Sequence, residues 1–394
     1  MTATTLEPLE QSLRIAVDST SSEFKNGLKT LLQQTLRKLE TPGERIWEYM
    51  FYPHYAAVVR AGIEMRLFHS LAEGAATVEE LTDRVPGGDA DDLLVARLLR
   101  MLAGMGVVTE VGLQKYANAA VGETLAKDVH LEGGMKFMFD VTGQSVMKLP
   151  DALKDLGYKN PSGELAAFQK AFGPGMNAFK FLGSHPSSLT DFVNLMAGQR
   201  FNRRDWFEFF PVQEKLLDAM DSDSTPLMVD VGGAQGFELQ QFNKRFPNAK
   251  GKLILQDLPN VIEGITDLED RIVRMPYDFF TPQPVKDARA YYFRSIFHDW
   301  DDFNCRKILE NLKPAMKRGF SKLLINDWVL PDQGAPLYPC MLDINMMAAF
   351  SSMERTEAQW TSLLDSVGFR IVKFWTVPGN EGCIEAVLAE YDSD

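Results

Sequence analysis

The sequence predicts an α/β fold in which an open, parallel sheet forms the C-terminal part and helices form the N-terminal part. Helical patterns dominate up to about residue 200, and short apolar runs alternate with helical stretches beyond it. A glycine-rich turn, 232–236, joins one of these apolar runs to the helix that follows. Strands that alternate with helices typically form a parallel sheet, and its ligands bind at the carboxyl ends of the strands.

The N-terminal part begins with a polar segment, 1–20, which we expect to be flexible. Two helices are predicted next, over 22–40 and 44–71. Proline and glycine at positions 42 and 43 separate them, because both residue types interrupt helical geometry.

A winged helix is predicted over 61–118, within a helical domain that spans 21–130. Its elements are a short helix (VEELTDRV), a second helix after the Pro-Gly-Gly at 86–88, and a two-stranded wing (VVTEVGLQKYA). Helix-turn-helix units often bind DNA, but residues 61–130 carry six basic and eleven acidic side chains. Because phosphate binding needs positive charge, we expect this module to pack or to dimerise.

Length and composition exclude several classes of protein. The 394 residues suit two or three domains, and the composition is that of a globular protein. The net charge of −13 opposes binding to nucleic acid or to anionic membranes. No apolar run is long enough to span a bilayer, and the N-terminus lacks the pattern of a signal peptide. Three scattered cysteines indicate neither disulfides nor a zinc site, so we expect a cytoplasmic protein without a metal.

Helices rich in methionine and phenylalanine are predicted over 131–220, which we interpret as a linker and substrate-pocket region. Met135 and Phe139 are four residues apart, as are Phe192 and Met196, so each pair lies on one helical face. Such side chains are most often simply core, and this alternative stays open for each of them. Eighteen methionines and twenty-six phenylalanines suit a pocket for a flat aromatic ligand, because both pack adaptably against ring faces.

The segment PLMVDVGGAQGFELQQF predicts a buried strand, a tight glycine turn and a helix. A second strand, LILQD, ends at Asp257, where a carboxylate can bind both hydroxyls of a ribose. The spacing of Gly232, Gly233 and Gly236 does not fit the nicotinamide fingerprint, which needs glycines at relative positions one, three and six. Asp230 precedes the turn, and its charge suits a cofactor with sulfonium and ammonium groups. The segment therefore favours S-adenosylmethionine (SAM) as the cofactor.

Further candidates follow the later strands. The segment YDFF places Asp278 and Phe279 at the end of a third strand, where they can bind and cover an adenine ring. A capping aspartate and a core phenylalanine are the alternative. A fourth strand (ARAYYFRS) leads to a loop with His298, and KLLIND forms a fifth strand. The runs FRIVKFW and GCIEAVL are predicted as the last two strands, at the edge of a sheet that occupies 221–394.

Roughly residues 45–390 resemble, in order, the SAM-dependent O-methyltransferases of the plant caffeate and flavonoid type and their fungal counterparts. The segments that carry the resemblance are VDVGGAQG, LQDLPNVI, YDFF, FRSIFHDWDD, LLINDWVLPD and SSMERTEAQW. Their combination is specific, although each segment alone is not. The resemblance implies a homodimer with a winged-helix dimerisation domain and a Rossmann-like catalytic domain, in which the partner contributes to the pocket.

The resemblance also implies roles for individual residues. His298 is implied to be the general base, with Asp327 and Glu354 as the carboxylates that orient it. Together with the patterns above, it gives a cofactor-binding set of Asp230, Gly232, Gly233, Gly236, Asp257, Leu258, Asp278, Phe279 and Arg294. The substrate-binding set comprises Met135, Phe139, Phe192, Met196, Asp299 and Met346.

Two positions depart from the family pattern. Ala234 stands where the family usually has glycine, and its methyl group is expected to tighten the cofactor turn without blocking it. Asp327 stands where a glutamate is more common, so its reach towards His298 is shorter by one carbon.

The expected reaction transfers a methyl group from SAM to a hydroxyl of an aromatic, phenolic or polyketide-like small molecule. Because the methyl donor is already activated, the protein mainly positions both reactants and removes a proton. Two alternatives remain. Some fungal proteins that resemble this family bind SAM and catalyse pericyclic rearrangements, in which case Arg294 or His130 would act on a substrate carbonyl. The other alternative is a dimeric winged-helix regulator, which the acidic composition opposes.

Overall fold

The computed structural model describes residues 7–18, 22–163, 167–199 and 203–389. They divide into two compact units, one that ends at Lys127 and one that begins at Asp128. The boundary predicted at 220/221 lies inside the second unit. Part of the predicted flexible segment, 1–6 and 19–20, lies outside the described residues. Within the described ranges, no helix is long and apolar enough to cross a membrane.

The first unit begins with helices, which are α1 Glu7–Asp18, α2 Ser22–Leu39, α3 Pro42–Glu64 and α4 Leu67–Ala72. Helix α3 starts at a capping box, in which Thr41 and Glu44 each accept a hydrogen bond from the other's backbone N–H. The prediction of a single helix over 44–71 is wrong. Arg66 adopts a left-handed conformation, with a φ of 54°, and this residue divides the segment into α3 and α4.

Three short strands and three helices complete the first unit. They are β1 Ala76–Thr77, α5 Val78–Thr82, α6 Asp92–Gly104, β2 Val108–Gly112, β3 Lys115–Asn118 and α7 Ala120–Lys127. The strands form an antiparallel sheet in the order β1-β3-β2, so the two strands predicted as the wing pair with each other. Helix α6 starts at Asp91, whose carboxylate accepts a hydrogen bond from the N–H of Leu94, and it buries Val95, Leu99 and Leu102.

Short helices form the first part of the second unit. They are α8 Val129–Phe137, α9 Gly143–Val146, α10 Leu149–Asp155, α11 Ala167–Phe172, α12 Ala178–Ser184, α13 Pro186–Gly198 and α14 Val212–Lys215. A π-helical turn, Met138–Thr142, joins α8 to α9. Helices α8 and α13 pack closely, because a Cβ atom at Gly133 would lie only 2.7 Å from the Cβ atom of Asn194.

A seven-stranded sheet and its helices form the rest of the second unit. The main strands are β4 Pro226–Val231, β5 Lys252–Asp257, β6 Ile272–Pro276, β7 Ala290–Arg294, β8 Lys322–Asp327, β11 Phe369–Trp375 and β12 Gly382–Leu388. Their order in the sheet is β11-β12-β8-β7-β4-β5-β6. Two further strands, β9 Val329–Leu330 and β10 Arg355–Thr356, form a separate parallel pair. The helices are α15 Phe237–Arg245, α16 Pro259–Glu263, α17 Asp302–Leu312, α18 Leu337–Phe350 and α19 Glu357–Asp365.

The large sheet is mixed. Strand β12 runs antiparallel to both of its neighbours, β11 and β8, while the other pairs are parallel. The prediction of a parallel sheet is therefore wrong for this strand. Only residues 376–381 connect β11 to β12, and so short a connection makes a hairpin, since a parallel pair needs a crossover of about a dozen residues or more.

Apolar layers cover both faces of the sheet. Tyr291 and Tyr292 are consecutive residues of β7 and point to opposite faces. Tyr291 belongs to a buried cluster with residues of α17 and α19, and Tyr292 to a second cluster with residues of α15. Because strands β4, β5, β7 and β8 pair in parallel, their carboxyl ends lie along one edge of the sheet.

Candidate active site

The glycine-rich turn connects the carboxyl end of β4 to α15. Gly232 and Gly236 have φ angles of 76° and 75°, a region that other residues rarely adopt. A Cβ atom at Gly232 would lie 2.5 Å from Cδ1 of Ile296, so the loop after β7 also excludes a side chain there. Asp230, in β4 just before the turn, is 1% exposed. The turn therefore brings the N-terminus of α15 to the carboxyl edge of the sheet, where it can approach a ligand.

Asp257 lies at the carboxyl end of β5, beside this turn. One carboxylate oxygen accepts a hydrogen bond from the N–H of Ala234 over 2.8 Å, and the other accepts one from the N–H of Leu258 over 2.7 Å. Burial raises the pKa of the Asp257 carboxyl, and these two amides partly oppose that effect. The carboxylate is held in one orientation, and its remaining lone pairs can accept from two ribose hydroxyls. These residues fit the nucleoside part of SAM.

Asp278 and Phe279 follow β6, which pairs with β5. Oδ1 of Asp278 accepts a hydrogen bond from the N–H of Phe280 over 2.9 Å, as a capping aspartate does. The ring of Phe279 packs edge-on against Trp300, with ring centroids 6.0 Å apart. Both side chains thus have structural contacts, and their contacts with an adenine ring stay predictions.

The side chain of Arg294, at the end of β7, belongs to a buried charge network that consists of Arg203, Glu238, Arg294 and Glu381. The guanidinium of Arg294 lies 2.9 Å from Oε2 of Glu381 and 3.3 Å from Oε1 of Glu238, and Glu381 also accepts a hydrogen bond from Arg203. Burial lowers the pKa of Arg294, but the two carboxylates raise it by more. Protein carboxylates therefore hold this guanidinium, and its contact with the cofactor stays a prediction.

A cavity of about 170 Å³ lies beside the buried charge network. Its lining includes Phe237 at the start of α15, Asn326 near the end of β8, and the arginines Arg203 and Arg204. Arg204 is exposed. The cavity is smaller than the ~300 Å³ or more of typical cofactor pockets, so it fits one polar end of a cofactor rather than the whole molecule.

His298 lies in a short 3-10 turn, Phe297–Asp299, beyond the end of β7. Its Nδ1 atom lies 2.9 Å from Oε1 of Glu354, whose side chain is 1% exposed. Glu354 directly precedes β10, and the pairing of β10 with β9 holds it near the end of β8. Because an ionised carboxylate only accepts, Nδ1 carries a proton and Nε2 of the neutral ring is left to accept one.

Neighbouring carboxylates set the charge of His298. Burial lowers the pKa of the imidazole, but the carboxylates, above all those of Glu354 and Asp299, raise it by more, so the net pKa lies well above its usual value. Oδ1 of Asp299 lies 3.6 Å from Nε2, beyond hydrogen-bond distance. Burial also raises the pKa of Asp299, to about 6. The imidazole is therefore a stronger base than a free histidine.

Asp327 does not make the contact that the sequence predicts. It ends β8 and is 1% exposed, yet neither of its carboxylate oxygens has a hydrogen-bond partner in the described part of the chain. Within the described residues, Asp327 therefore makes no hydrogen bond to the ring of His298. Burial raises the pKa of Asp327 to about 8, so the carboxyl is mostly protonated at neutral pH. Glu354 alone of the two acids bonds the ring.

Comparisons with known proteins identify the family. The family model for the O-methyltransferase domain matches residues 147–370, and that for the O-methyltransferase dimerisation domain matches residues 47–128. The chain belongs to the O-methyltransferase family. It is a SAM-dependent enzyme, and the predictions of its fold class, reaction class and cofactor are confirmed. The second match means that the first unit carries the family's dimerisation domain.

Individual relatives cover almost the whole O-methyltransferase chain. The O-methyltransferase mfmE of Annulohypoxylon moriforme is 35% identical over 385 residues, 95% of this chain and 93% of that protein. The demethylsterigmatocystin 6-O-methyltransferase of Aspergillus flavus is 31% identical over 367 residues, 92% of this chain and 93% of that protein. The solved structure of LepI in complex with SAM covers 98% of this chain and 99% of that chain, with a TM-score of 0.89 and 30% identity. A solved structure described as a pericyclic reaction enzyme has the same TM-score and identity and covers 98% of this chain and 100% of that chain.

The predicted acceptor-binding residues of this O-methyltransferase lie on α8, α13 and α18 or next to them. The ring of Phe192 lies 5.2 Å from that of Phe137, a buried residue that the periodicity did not single out. Met346 is buried, and Met135, Phe139 and Met196 are half-buried. A π-helical turn begins between Met135 and Phe139, and their shared face towards an acceptor stays a prediction.

His130, a candidate for the alternative pericyclic reaction, lies at the protein surface. Its Nδ1 atom lies 3.1 Å from Oδ1 of Asn194, and the residue is exposed.

Across the described ranges, no group of three or more histidine, cysteine, aspartate or glutamate side chains could hold a metal ion.

Sequence reasoning missed three side chains near the site. Glu381 belongs to the buried charge network, but a glutamate in a loop between two strands gives no signal of burial. Ser352 and Arg355 both contact the turn that carries His298. They lie inside the segment SSMERTEAQW, so the resemblance indicated the segment but only its glutamate was singled out.

Proposed function

We propose that this O-methyltransferase acts on a hydroxyl of an aromatic, phenolic or polyketide-like small molecule, with His298 as the general base. The observation that carries the proposal is the 2.9 Å contact between Nδ1 of His298 and Oε1 of Glu354, which leaves Nε2 to accept a proton. SAM supplies an activated methyl group when it is bound. The chain therefore has to position two reactants and to remove one proton.

The proton transfer suits the electrostatics around His298. Phenols titrate near pH ~10, as the tyrosine side chain does, so an ordinary imidazole is a weak base for them. Although burial lowers the pKa of His298, the neighbouring carboxyl groups raise it by more, which brings the base closer to its phenolic partner. Glu354 also stabilises the imidazolium that forms when Nε2 takes the proton.

The nucleoside end of SAM is assigned to the carboxyl ends of β5 and β6. There Asp257 accepts from the ribose hydroxyls, and Asp278 and Phe279 lie close to the adenine. The two backbone amides that hold Asp257 support this assignment.

The amino-acid end of SAM is assigned to the cavity beside the buried charge network, with Arg204 as the cation for its carboxylate. We expect Arg204→Gln to weaken SAM binding by about tenfold, whereas Arg274→Gln, on the exposed face of β6, leaves it unchanged.

An aromatic acceptor is supported by the residues that surround the predicted pocket. Phe137 and Phe192 belong to an apolar cluster formed by residues of α8, α11, α12, α13 and α18. Met346, one helical turn from Ala349 of this cluster, adds a flexible side chain. Phenylalanine and methionine contact flat rings with little directional demand, so this cluster suits an aromatic acceptor without selecting a particular hydroxyl.

The dimerisation domain supports a homodimer, and we assign its contact to an aromatic face of α3. Trp47 and Phe51 lie four residues apart on this helix, their ring centroids are 6.1 Å apart, and they are 62% and 45% exposed in the single chain. Apolar side chains exposed side by side typically mark an interface. As the resemblance implies, we propose that the partner also contributes to the acceptor pocket.

The proposed reaction is tested by incubating the purified enzyme with methyl-labelled SAM and a panel of phenols. The expected products are a labelled methyl ether and S-adenosylhomocysteine. His298→Ala is expected to lower kcat by roughly 100- to 10,000-fold, the usual contribution of a general base. Equal rates for His298→Ala and the wild-type enzyme would show that His298 is not the base.

A pericyclic rearrangement is the second candidate, and the likeness to the pericyclic reaction enzyme and to LepI favours it. In that reaction SAM is bound but not consumed. The ion pairs that occupy Arg294 leave its guanidinium poorly placed for a substrate carbonyl, which favours methyl transfer. Tight SAM binding without any S-adenosylhomocysteine, for every acceptor, would favour the pericyclic reaction instead.

A further inference from the structure

We propose that Ser352 and Arg355 are positioning residues that hold the turn of His298 in register with Glu354, an inference that rests on the proposed role of His298. The two side chains bind backbone carbonyls of the segment 297–300, and we call them the carbonyl clamp. They lie on either side of Glu354 in the chain. The short segment 352–355 therefore binds both the imidazole of His298 and the backbone that carries it.

Ser352 binds the backbone of His298 itself. Its hydroxyl donates to the carbonyl oxygen of His298, and the carbonyl oxygen of Trp300 lies 3.1 Å from the same hydroxyl. Ser352 is 2% exposed, so water does not compete for these contacts. Loss of the hydroxyl would leave a buried carbonyl next to the base without its partner.

Arg355 binds the two ends of the turn. Its Nη1 atom donates to the carbonyl oxygen of Phe297 over 2.9 Å, and its Nη2 atom donates to that of Trp300 over 2.9 Å. Nε and Nη2 also bind Oδ1 of Asp302, at 3.1 Å and 2.9 Å, which balances the charge. The guanidinium is fully buried and packs over the ring of Trp360. Its planar fork reaches both carbonyls at once, and a lysine ammonium cannot do so.

The backbone around His298 needs hydrogen bonds from outside the turn to hold its position. The turn Phe297–Asp299 has two backbone hydrogen bonds, from Asp299 N–H to the Ile296 carbonyl and from Trp300 N–H to the Phe297 carbonyl. Neither involves the carbonyl oxygen of His298, which Ser352 binds. The position of Glu354 is fixed separately, because its N–H donates to Oδ1 of Asp343 over 2.9 Å. Displacing a catalytic group by about 1 Å can lower a rate by roughly 100-fold, so the relative placement of these two residues matters for kcat.

The test compares Ser352→Ala and Arg355→Lys with Ser351→Ala. Ser351 is the matched control, because it is the neighbouring serine, is 1% exposed, and its hydroxyl has no hydrogen-bond partner in the described residues. We expect Ser352→Ala and Arg355→Lys to lower kcat by about tenfold or more with KM for SAM changed by less than about twofold, and Ser351→Ala to match the wild type. Melting temperatures identify any variant that fails to fold. If Arg355→Lys does not fold, the comparison of Ser352→Ala with Ser351→Ala is the test.

A second readout needs no acceptor. The Nδ1 proton of His298, bonded to a carboxylate, should give a proton NMR resonance downfield of the amides, which His298→Gln and Glu354→Gln assign by abolishing it. We expect Ser352→Ala and Arg355→Lys to broaden or shift this resonance, and Ser351→Ala to retain it. Unchanged resonance and kcat in the folded clamp variants would overturn the proposal. Loss of the resonance in an enzyme that forms no methyl ether would support the clamp and refute the proposed function alone.

Discussion

Nδ1 of His298 and Oε1 of Glu354 lie 2.9 Å apart, although 56 residues separate them in the chain. Two strand ends bring them together: His298 follows β7, and Glu354 precedes β10, which pairs with β9 just beyond β8. The contact involves a buried carboxylate and one ring nitrogen, so it sets the tautomer of the ring and raises its basicity together.

Glu354→Gln and Asp327→Asn should affect catalysis very differently. Glu354→Gln removes the charge that binds Nδ1, so we expect kcat to fall by roughly 100-fold. Asp327→Asn removes a carboxyl that makes no hydrogen bond to the described residues and is mostly protonated at neutral pH, so we expect kcat to change by less than about threefold. Steady-state kinetics with one accepted phenol measure both variants. Equal losses in the two variants would contradict this division of roles.

The value of kcat should increase as the pH rises above neutrality. Burial lowers the pKa of His298, but the nearby carboxyl groups raise it by more, so the pKa lies well above its usual value. The neutral base therefore forms only as the pH rises through that pKa. We therefore expect kcat to increase with pH above neutrality. In Glu354→Gln the rise should move to lower pH, by about one unit or more, while the plateau falls. An unchanged midpoint in this variant would show that another group titrates.

The stability of the enzyme should depend on pH through Asp327. Burial raises the pKa of Asp327 to about 8 in the folded state, against ~3.9 in an unfolded chain. Its contribution to stability is therefore full below pH ~4 and is lost as pH rises towards 8. Asparagine does not titrate, so the melting temperature of Asp327→Asn relative to the wild type should rise between pH 5 and pH 8. Asp365→Asn, at an exposed position, is the control and should show no such trend.

Ala234→Gly should stabilise the cofactor turn. Ala234 has a φ of 49°, and a left-handed alanine costs about 1–2 kcal/mol relative to the right-handed conformation, a penalty that glycine avoids. Greater freedom of glycine in the unfolded chain offsets part of the gain. We expect the melting temperature to rise by about 1–3 °C, measured by scanning calorimetry. A lower melting temperature would mean that the methyl group of Ala234 has packing contacts that outweigh its backbone strain.

Gly232→Ala should have the opposite effect in the same turn. A methyl group at Gly232 combines a φ of 76° with a distance of 2.5 Å to Cδ1 of Ile296. We expect SAM binding, measured by calorimetric titration, to weaken by at least about tenfold, because the left-handed backbone strains an alanine and the side chain of Ile296 has to shift beside the turn. Gly104→Ala is the control, since no atom lies within 4 Å of the position that its Cβ would take. Unaltered SAM binding would place the cofactor away from this turn.

Local patterns predicted the parts of the fold that local interactions determine. The strand, glycine turn and helix around Gly232 are encoded by consecutive residues, and the carboxylate of Asp257 follows from the next strand end. The antiparallel direction of β12 was also available, because the short connection 376–381 rules out a crossover. The break at Arg66 was not, since nothing in the residue type requires a left-handed conformation.

The candidate site depends on distances that the sequence does not contain. The resemblance named Asp327 and Glu354 equally, and only the backbone positions of β8 and β10 show which carboxylate reaches the imidazole. Arg355 reads as an ordinary charged residue before a helix, yet it is fully buried against carbonyl oxygens. Burial of a long charged side chain follows from tertiary packing, and no local pattern indicates it.

Arg203, Glu238, Arg294 and Glu381 form a row of ion pairs that alternates in sign, and each residue comes from a different stretch of the chain. Removing one partner of a buried ion pair typically costs roughly 3–5 kcal/mol, which is a large fraction of the stability of a typical protein. These positions are therefore expected to diverge in concert during evolution, with descendants keeping the full set or exchanging acid and base together for neutral side chains.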